Sequence, residues 1–184
     1  MIFDDLIKLE KAAAVTFLDS TAIDSFVARA QRTPRRRLNL NLHSDLADPI
    51  QRFLNAGDPA SYIRPHRHVV SRWELFTVLR GHIDVLLFAG DGTLTSRLAL
   101  RAETGSVSEI PGGTWHSFVF GSPGTVALEI KPGPYIAATD KEFADWAPRE
   151  EDADAARCAA WLAAAKTGQR WLRDELPSSR QADG

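Results

Sequence analysis

The clearest hydrophobic pattern in the chain lies at residues 35–43, RRRLNLNLH, where apolar and polar residues alternate. A period of two predicts a β-strand with one buried face, here the face that carries the leucines. The opposite face carries Asn39, Asn41 and His43. These polar side chains either meet solvent along an edge strand or enter a pocket, within one chain or across a dimer, and the pattern leaves both alternatives open.

Short apolar-alternating runs also fill the region from Ser61 to Tyr135, and Gly, Pro and Asp-Gly turns separate them. The runs are WELFTVLRG, IDVLLFAGDG, TLTSRLAL, SVSEIP, WHSFVFGSPG and TVALEIKPG. The dipeptide at residues 91–92, Asp-Gly, stands between two of them and is typical of a tight hairpin. Many short strands at this spacing predict a mainly β fold, either an antiparallel sandwich or a small barrel.

Helical patterns flank this β-rich region. AIDSFVARAQ, with Thr21 placed to cap it, predicts a short helix that Pro34 ends. DPIQRFLNA, with Asp48 as its cap, predicts a further helical turn or two. The Ala-rich segment EEDADAARCAAWLAAAKTGQRWLRDEL predicts a C-terminal helix by propensity and by its charge distribution. The residues expected to dock this helix on the barrel or on a partner chain are Trp161, Leu162, Ala165 and Leu172.

The composition is that of an ordinary globular domain, with 184 residues of which 44% are hydrophobic and 25% charged. We expect a single domain over residues 1–184, with an arm at 1–57, a barrel core at 58–136 and a helical extension at 137–184. The net charge of −2 argues against a nucleic-acid binder that relies on overall basicity.

Three further features favour a cytoplasmic protein that does not span a membrane. No apolar run approaches the ~18 residues that a membrane span needs. The start of the chain, MIFDDLIKLEKAAAV, carries acidic residues where a signal peptide needs basic ones. The single cysteine, Cys158, has no partner for an intrachain disulfide, which suits a reducing compartment.

Three of the five histidines stand in patterns that suit a metal site. His66 and His68 are two residues apart, so on a strand their imidazoles point the same way. Glu74 opens the next run, and a hairpin of the two runs would place its carboxylate beside them. His116 follows a bend rich in glycine and proline. Three imidazoles and one carboxylate suit Fe, Mn, Ni or Zn, and they leave coordination positions open for water or substrate.

The spacing of these residues resembles the paired motifs of the cupin superfamily. The first motif, His-x-His, three or four residues, Glu, six residues and Gly, is matched by His66, His68, Glu74 and Gly81, although five residues separate His68 from Glu74. The second motif, Gly, five residues, Pro-x-Gly, two residues, His, three residues and often Asn, is matched by Gly105, Pro111, Gly113 and His116, with Phe120 in place of the Asn.

The resemblance implies a cupin-type antiparallel β-barrel, also called a double-stranded β-helix or jelly roll, with a short N-terminal helical segment and a C-terminal α-helix. It also implies one divalent metal ion held by His66, His68, Glu74 and His116. Because of the longer spacing before Glu74, we place the extra residue in the hairpin loop.

Residues 35–150 further resemble the WbuC-type cupin-fold metalloproteins, through RRRLNLNLH, DPIQRFLNA, SYIRPHRH, IPGGTWHSFV and EIKPGPY. That bacterial family is often associated with surface-polysaccharide genes. The resemblance implies a carbohydrate-like small-molecule ligand and a homodimer that exchanges strands. It implies no particular reaction, so a metal-dependent isomerase or epimerase, an oxygenase, a non-catalytic sensor and a structural metal in an oligomer are all open.

Other polar residues share faces with the predicted metal ligands. Tyr62 and Arg64 precede His66 at period two, which predicts that they lie near the barrel mouth, although a surface ion pair is an equal alternative for Arg64. Glu129 and Lys131 share a face and either pair with each other or reach the pocket. No catalytic residue is assigned. The predicted substrate-binding residues are Asn41, His43, Tyr62, Arg64 and Lys131.

Overall fold

The computed structural model describes residues 15–172, and two five-stranded antiparallel sheets make up most of the regular structure in that range. The first sheet contains, in spatial order, β1 (Arg37–Asn41), β2 (Ile50–Gly57), β9 (Thr125–Pro132), β4 (Glu74–Arg80) and β7 (Val107–Ile110). The second contains β10 (Glu142–Phe143), β3 (His66–Arg67), β8 (Trp115–Phe120), β5 (His82–Phe88) and β6 (Leu94–Arg101). The predicted mainly β, antiparallel architecture is confirmed.

The two sheets pack face to face through a core to which both contribute. The first sheet supplies Phe76, Val78 and Ala127, and the second supplies Val85 and Phe118, among others. Full burial of a side chain of this kind contributes about 1.5–3 kcal/mol to the stability of the fold. The alternation along β4 follows the predicted period of two, so Glu74 points to the interior with the apolar residues two and four positions later.

A helix covers the outer face of the first sheet. This helix, α1 (Ser20–Arg32), buries Phe26 and Ala30 against β2 and β9. Its cap is Asp19, whose carboxylate accepts a hydrogen bond from the Ala22 N–H at 2.8 Å, and not the predicted Thr21. The helix ends where Pro34 was expected to end it, with Thr33 as the C-cap.

A second helix, α2 (Ala155–Ala164), packs against β5 and β6 of the second sheet. Leu162 and Ala165 are buried in this contact and Trp161 packs at its edge, as predicted, whereas Leu172 is 63% exposed and does not dock on the barrel. The guanidinium of Arg97 donates to the carbonyls at the helix end, those of residues 162, 163 and 165. The remainder of the predicted C-terminal helix, from residue 173, lies outside the described residues. Neither α1 nor α2 is long and apolar enough to span a membrane.

The predicted helical turn at DPIQRFLNA is wrong, because this segment forms strand β2 in the interior of the first sheet. β2 pairs with β1 on one side and with β9 on the other. It buries residues on both faces, including Gln51 and Phe53 towards the second sheet and Leu54 and Ala56 under α1. A strand that is covered on both faces loses the simple alternation of apolar and polar residues, and its sequence then resembles a helix.

The predicted hairpin between the two histidines and Glu74 is also wrong. His66 lies on β3 of the second sheet and pairs with His116, whereas Glu74 opens β4 of the first sheet. The five intervening residues therefore cross from one sheet to the other. They lie over the bend before β8, where the Gly113 N–H donates to the His68 carbonyl at 2.8 Å and a Cβ at Gly112 would overlap with the backbone of the crossing segment. Sequence spacing does not reveal which sheet a strand joins.

The predicted turn at residues 91–92 does form a hairpin, between β5 and β6. Gly92 has a φ of +87°, a backbone conformation that favours glycine. This hairpin holds the two strands on which α2 packs.

Candidate metal centre and its cavity

The four predicted metal ligands meet between the two sheets. His66 and His116 are direct partners on β3 and β8, His68 follows β3, and Glu74 approaches from β4 of the opposite sheet. One ligand atom from each residue lies within 4.8 Å of the others. All four side chains are buried, with exposures of 1–3%. The closure of the two sheets, rather than a local hairpin, therefore assembles the group.

Each histidine presents the same nitrogen to the centre. The Nδ1 atom of His66 lies 2.9 Å from the Arg64 carbonyl, that of His116 lies 2.9 Å from the Thr114 carbonyl, and that of His68 contacts the Asp140 carbonyl. A carbonyl only accepts hydrogen bonds, so each Nδ1 carries the proton and donates. The Nε2 lone pairs are then free for a metal, which is the usual arrangement of metal-binding histidines.

The atoms that face the centre lack ordinary hydrogen bonds. The Nε2 atoms of His66, His68 and His116 and the Oε2 atom of Glu74 are buried without a hydrogen-bond partner within residues 15–172. His68 Nε2 and His116 Nε2 lie 2.8 and 2.9 Å from the Glu74 carboxylate oxygens. Buried polar groups without partners cost about 1–3 kcal/mol each. A divalent cation bound by three neutral imidazoles and a carboxylate would satisfy all four atoms, so the residues fit a metal ion.

The charge states also suit metal binding. Burial, followed by the positive charge of Lys141, lowers the pKa of His66 well below its ordinary value and keeps its imidazole neutral. Burial alone would raise the pKa of Glu74, but close contact with the imidazoles of His116 and His68 outweighs it and holds the pKa well below the ordinary value. A neutral imidazole at His66 and an ionised carboxylate at Glu74 are the forms of these groups that bind metals.

Lys131 lies beside the centre in a network of carboxylates. Its Nζ atom lies 3.3 Å from Asp140 Oδ2 and 3.6 Å from Glu129 Oε1. It also lies 3.8 Å from Glu74 Oε1. Burial alone would lower the pKa of Lys131, but the negative charges of Glu129, Glu74 and Asp140 outweigh it and raise the pKa. Lys131 thus pairs with Glu129 and also reaches the pocket. Both of the alternatives that the sequence left open for Lys131 therefore apply.

Two members of this network were not identified from the sequence. Asp140 lies in the loop before β10, where no periodic pattern marks it, yet it contacts His68, Lys131 and Arg72. Asn55 lies on β2, the segment that was predicted to be helical. Its side-chain amide donates a hydrogen bond to Glu129 Oε2 at 2.8 Å. Because β2 also contains Gln51 and Arg52, no sequence pattern distinguishes Asn55.

Glu129 is a buried carboxyl of unusual basicity. Burial, and then the negative charge of Glu74, raise the pKa of Glu129 to about 8. It lies in the middle of the first sheet, where it pairs with Phe53 on β2 and Phe76 on β4. A carboxyl group in this position is able to exchange a proton with a molecule in the cavity near neutral pH.

A cavity of about 700 Å³ extends from the centre, and His66 and Glu74 form part of its lining. The inner face of the first sheet supplies one wall, and β10 with the segment before β3 supplies the other. The polar face of β1 meets both solvent and the cavity: Asn39 and Asn41 are exposed and line the cavity, whereas His43 is buried in its wall. The polar lining includes Asn39, Asn41, His43, Gln51, Asn55, Arg64, Glu129, Lys131 and Lys141.

Four of the five predicted substrate-binding residues line this cavity, namely Asn41, His43, Arg64 and Lys131. Tyr62 lies elsewhere: its ring belongs to the core under α2, and its hydroxyl donates to the Pro148 carbonyl at 2.8 Å. Residues 61–65 are not in a strand, so the period of two that placed Tyr62 beside His66 does not extend back through Pro65.

A family described as a domain of unknown function, DUF6016, matches residues 18–100. No curated protein matches the chain. Among solved structures, CapF with the inhibitor 3-isopropenyl-tropolone has a TM-score of 0.51 and 18% identity, covering 60% of this chain and 32% of that chain. KdgF from Halomonas sp. has a TM-score of 0.44 and 16% identity, covering 56% and 83%. A cupin superfamily protein from Desulfitobacterium hafniense DCB-2 has a TM-score of 0.44 and 13% identity, covering 58% and 85%.

These identities are low, so the similarity concerns the fold alone. With its two antiparallel sheets and its ligands between them, the chain has the predicted cupin-type fold. The more specific resemblance to WbuC-type proteins stays a prediction.

Proposed function

We propose that the chain is a metal-dependent protein that binds and transforms a small, polar, carbohydrate-like molecule at a centre formed by three histidines and Glu74. One observation carries the proposal: four buried ligand atoms face one another without hydrogen-bond partners within the described range. One divalent ion, Fe, Mn, Ni or Zn, fits this set of donors. When bound, such an ion would supply Lewis acidity towards a substrate oxygen.

The cavity wall supports a hydroxylated ligand. Asn39 and Asn41 project into the cavity from β1, and Asn55 follows on β2. Amide side chains both donate and accept hydrogen bonds, as sugar hydroxyl groups do. The ring of Phe53 lies in the same wall and offers an apolar surface to a sugar's C–H groups. A mixed lining of this kind in a concave pocket is typical of small-molecule sites.

The proposal also includes the homodimer that the resemblance implies. β1 stands at the edge of its sheet, so one side of it is open to pairing with another chain. Ile50, the first residue of β2, and Ile136, after β9, are exposed apolar residues. Light scattering on the purified protein measures its molar mass directly. A monomer at micromolar concentration would contradict this part of the proposal.

Metal analysis tests the centre. The full chain is purified without chelator, offered Fe, Mn, Ni and Zn, and assayed for bound metal by mass spectrometry. We expect about one ion per chain, and a strong loss in His66→Ala and His116→Ala. His82→Ala is the matched control, because His82 lies on β5 outside the centre. A wild-type protein that retains none of the four metals would contradict the proposal.

Product analysis then separates an enzyme from a sensor. The metal-loaded protein is incubated with a mixture of sugars and sugar nucleotides, and the mixture is compared before and after by mass spectrometry. New product supports an enzyme. Ligand-induced thermal stabilisation without product instead assigns the chain to non-catalytic binding. Unfolding on metal removal, with no ligand found, would indicate a structural metal.

A further inference from the structure

We propose that the cavity binds an anionic group of its ligand, a carboxylate or a phosphate, on Arg64 and Lys141. This inference rests on the proposed function and narrows its substrate to hydroxylated acids or phosphate esters. It follows from the charges that line the cavity and from the hydrogen bonds that they leave unmade.

Three of the cationic side chains in the cavity lining already form ion pairs. Arg35 and Arg37 share the carboxylate of Glu150, at 2.7 and 2.6 Å. Lys131 is surrounded by three carboxylates, as described above. Arg64 and Lys141 line the same cavity, and neither forms an ion pair with any described carboxylate. Two cationic side chains that form no ion pair within 4 Å in the described structure thus line the cavity, and Glu74, Glu129 and Asp140 act on Lys141 only from a greater distance.

Arg64 is held in place for a ligand. One terminal nitrogen donates to the Ala144 carbonyl at 2.7 Å, and the guanidinium carbon lies 5.2 Å from the centroid of the Phe143 ring. Its Nε atom is buried and has no partner in the described structure. A guanidinium presents a planar fork of donors that matches a carboxylate or a phosphate, and fixing its plane beforehand lowers the cost of binding. The unpaired Nε–H is the donor that such an anion would satisfy.

Lys141 lines the same cavity as Arg64. It precedes β10, whose Phe143 pairs with His66 on β3, so the antiparallel register continues from Lys141 towards His68. Its side chain is exposed and forms part of the cavity lining. The Lys141 ammonium adds a second positive charge to the cavity wall that carries Arg64.

The charge of the occupied centre acts in the same direction. A divalent cation on three neutral imidazoles and one carboxylate leaves a net positive charge. An anion held by Arg64 and Lys141 therefore meets three positive groups in a partly enclosed space, where electrostatic attraction is stronger than in water.

The opposite wall specifies the rest of the ligand. His43 is 6% exposed, lines the cavity and has an Nε2 atom without a partner within residues 15–172. Its Nδ1 atom lies 2.8 Å from the Arg52 carbonyl oxygen and 3.0 Å from the Arg52 backbone nitrogen, so Arg52 engages Nδ1 and leaves Nε2 available to a ligand hydroxyl. Together with Asn39 and Asn41, this wall suits hydroxyl groups. The predicted ligand is thus a polyhydroxylated anion.

Calorimetry on the Zn-loaded full chain tests the inference with two matched pairs. D-gluconate is compared with D-glucitol, which differs by the carboxylate, and D-glucose 6-phosphate is compared with D-glucose. We expect at least one anion to bind at least tenfold more tightly than its neutral analogue, and the responding pair identifies the source of the charge. If neither anion binds more tightly than its analogue while zinc is retained, this inference fails and the metal proposal stands. If zinc is not retained, the comparison is made with whichever of Fe, Mn and Ni the chain retains, and retention of none of the four metals contradicts the proposed function itself.

Variants locate the binding. Arg64→Gln and Lys141→Met should each weaken the responding anion at least fivefold, with little change for the neutral analogue or in zinc content. Arg101→Gln is the control, because Arg101 is exposed on β6 outside the cavity lining. Arg64→Lys keeps the positive charge and serves as the second variant if Arg64→Gln fails to fold. It should bind the responding anion with intermediate affinity. Wild-type anion affinity in both Arg64→Lys and Lys141→Met would overturn the assignment.

Discussion

The Glu74 carboxylate on one sheet reaches His116 on the other, with 2.9 Å between Oε2 and Nε2. The two residues belong to β4 and β8, which are not neighbours in either sheet. The metal centre is therefore also a contact between the sheets. Any ion bound there is expected to connect them, so metal binding and stability should be linked.

Replacing Glu74 by glutamine should strongly reduce metal retention. Glu74→Gln keeps the size of the side chain but removes the charge that the centre offers to a cation. Loss of a group that merely orients a ligand costs about 10–100-fold in affinity, and loss of a direct ligand should cost at least that. Competition with a chromogenic chelator measures the affinity. Glu109→Gln, at an exposed position on β7, is the control.

The same variant tests whether Glu74 binds metal despite the longer spacing between His68 and Glu74. If Glu74→Gln binds metal as tightly as the wild type, the four-ligand centre is wrong. If the metal affinity is unchanged in Glu74→Gln but falls in His66→Ala, the histidines alone form the centre.

Metal should raise the melting temperature of the wild type, and chelation should lower it. An ion that binds only the folded state at one hundred times its Kd stabilises that state by about 2.7 kcal/mol. Differential scanning fluorimetry with added zinc, and with EDTA, measures the shift. His116→Ala should show no such shift. A zinc-induced rise of equal size in His116→Ala would place the ion elsewhere.

The sequence predicts the ligands better than it predicts how they meet. Residues that repeat at period two on a strand, such as His66 and His68, are visible as a local pattern. The placement of Glu74 depends on which sheet β4 joins, and this is set by contacts far apart in the chain. Tyr62 was placed beside the centre by extending the period through Pro65, where the strand does not continue.

The hydrophobic pattern did not identify site residues that lie in loops or in strands covered on both faces. Asp140 contacts His68 from the loop before β10, and only the folded chain shows this contact. Asn55 lies on β2, where apolar residues on both faces removed the alternation that marks a strand. The mainly β fold followed from many short strands together, and its cupin type followed from the resemblance of the two motifs, so the prediction survived an error in one strand.

Asp140→Asn should weaken metal binding without removing a ligand. The change keeps the backbone carbonyl that holds His68 but removes the negative charge shared by Lys131 and Arg72. Lys131 would then depend on Glu129 and Glu74, so its charge would compete with the metal for Glu74. We expect about a tenfold loss in metal affinity, the lower end for groups that orient ligands.

The comparison for this variant is Asp145→Asn, at an exposed position two residues after β10. Equal metal affinities in the two variants would show that the Asp140 charge has no influence on the centre. Competition with the same chromogenic chelator measures the metal affinities of both variants.

Gly57→Ala should destabilise the contact between the sheets. A Cβ at this position would overlap with the Phe120 ring on β8. Overpacking of a filled core costs about 1–3 kcal/mol. Urea denaturation of the metal-free protein measures the loss. Gly90→Ala is the matched control, because a Cβ there meets no atom within 4 Å, and a loss of equal size at Gly90 would contradict the packing explanation.

The ion pairs at Glu150 should contribute a small, pH-dependent stability. Burial alone would raise the pKa of Glu150, but hydrogen bonds and charges from Arg35 and Arg37 outweigh it and lower the pKa. A carboxyl with a lowered folded-state pKa stabilises the fold above its unfolded pKa of about 4.3, and the contribution is lost as pH falls through the folded value. Because the groups are partly exposed, we expect only about 0.5–1 kcal/mol.

The test compares Glu150→Gln with the wild type by urea denaturation of the metal-free protein at pH 7 and at pH 3. The variant should be less stable at pH 7, and the difference should shrink at pH 3, as the fall in pH protonates the wild-type carboxyl. Glu151→Gln, at the exposed neighbouring position, should behave as the wild type at both values. A difference of the same size at pH 3 would assign the effect of Glu150 to packing rather than to its charge.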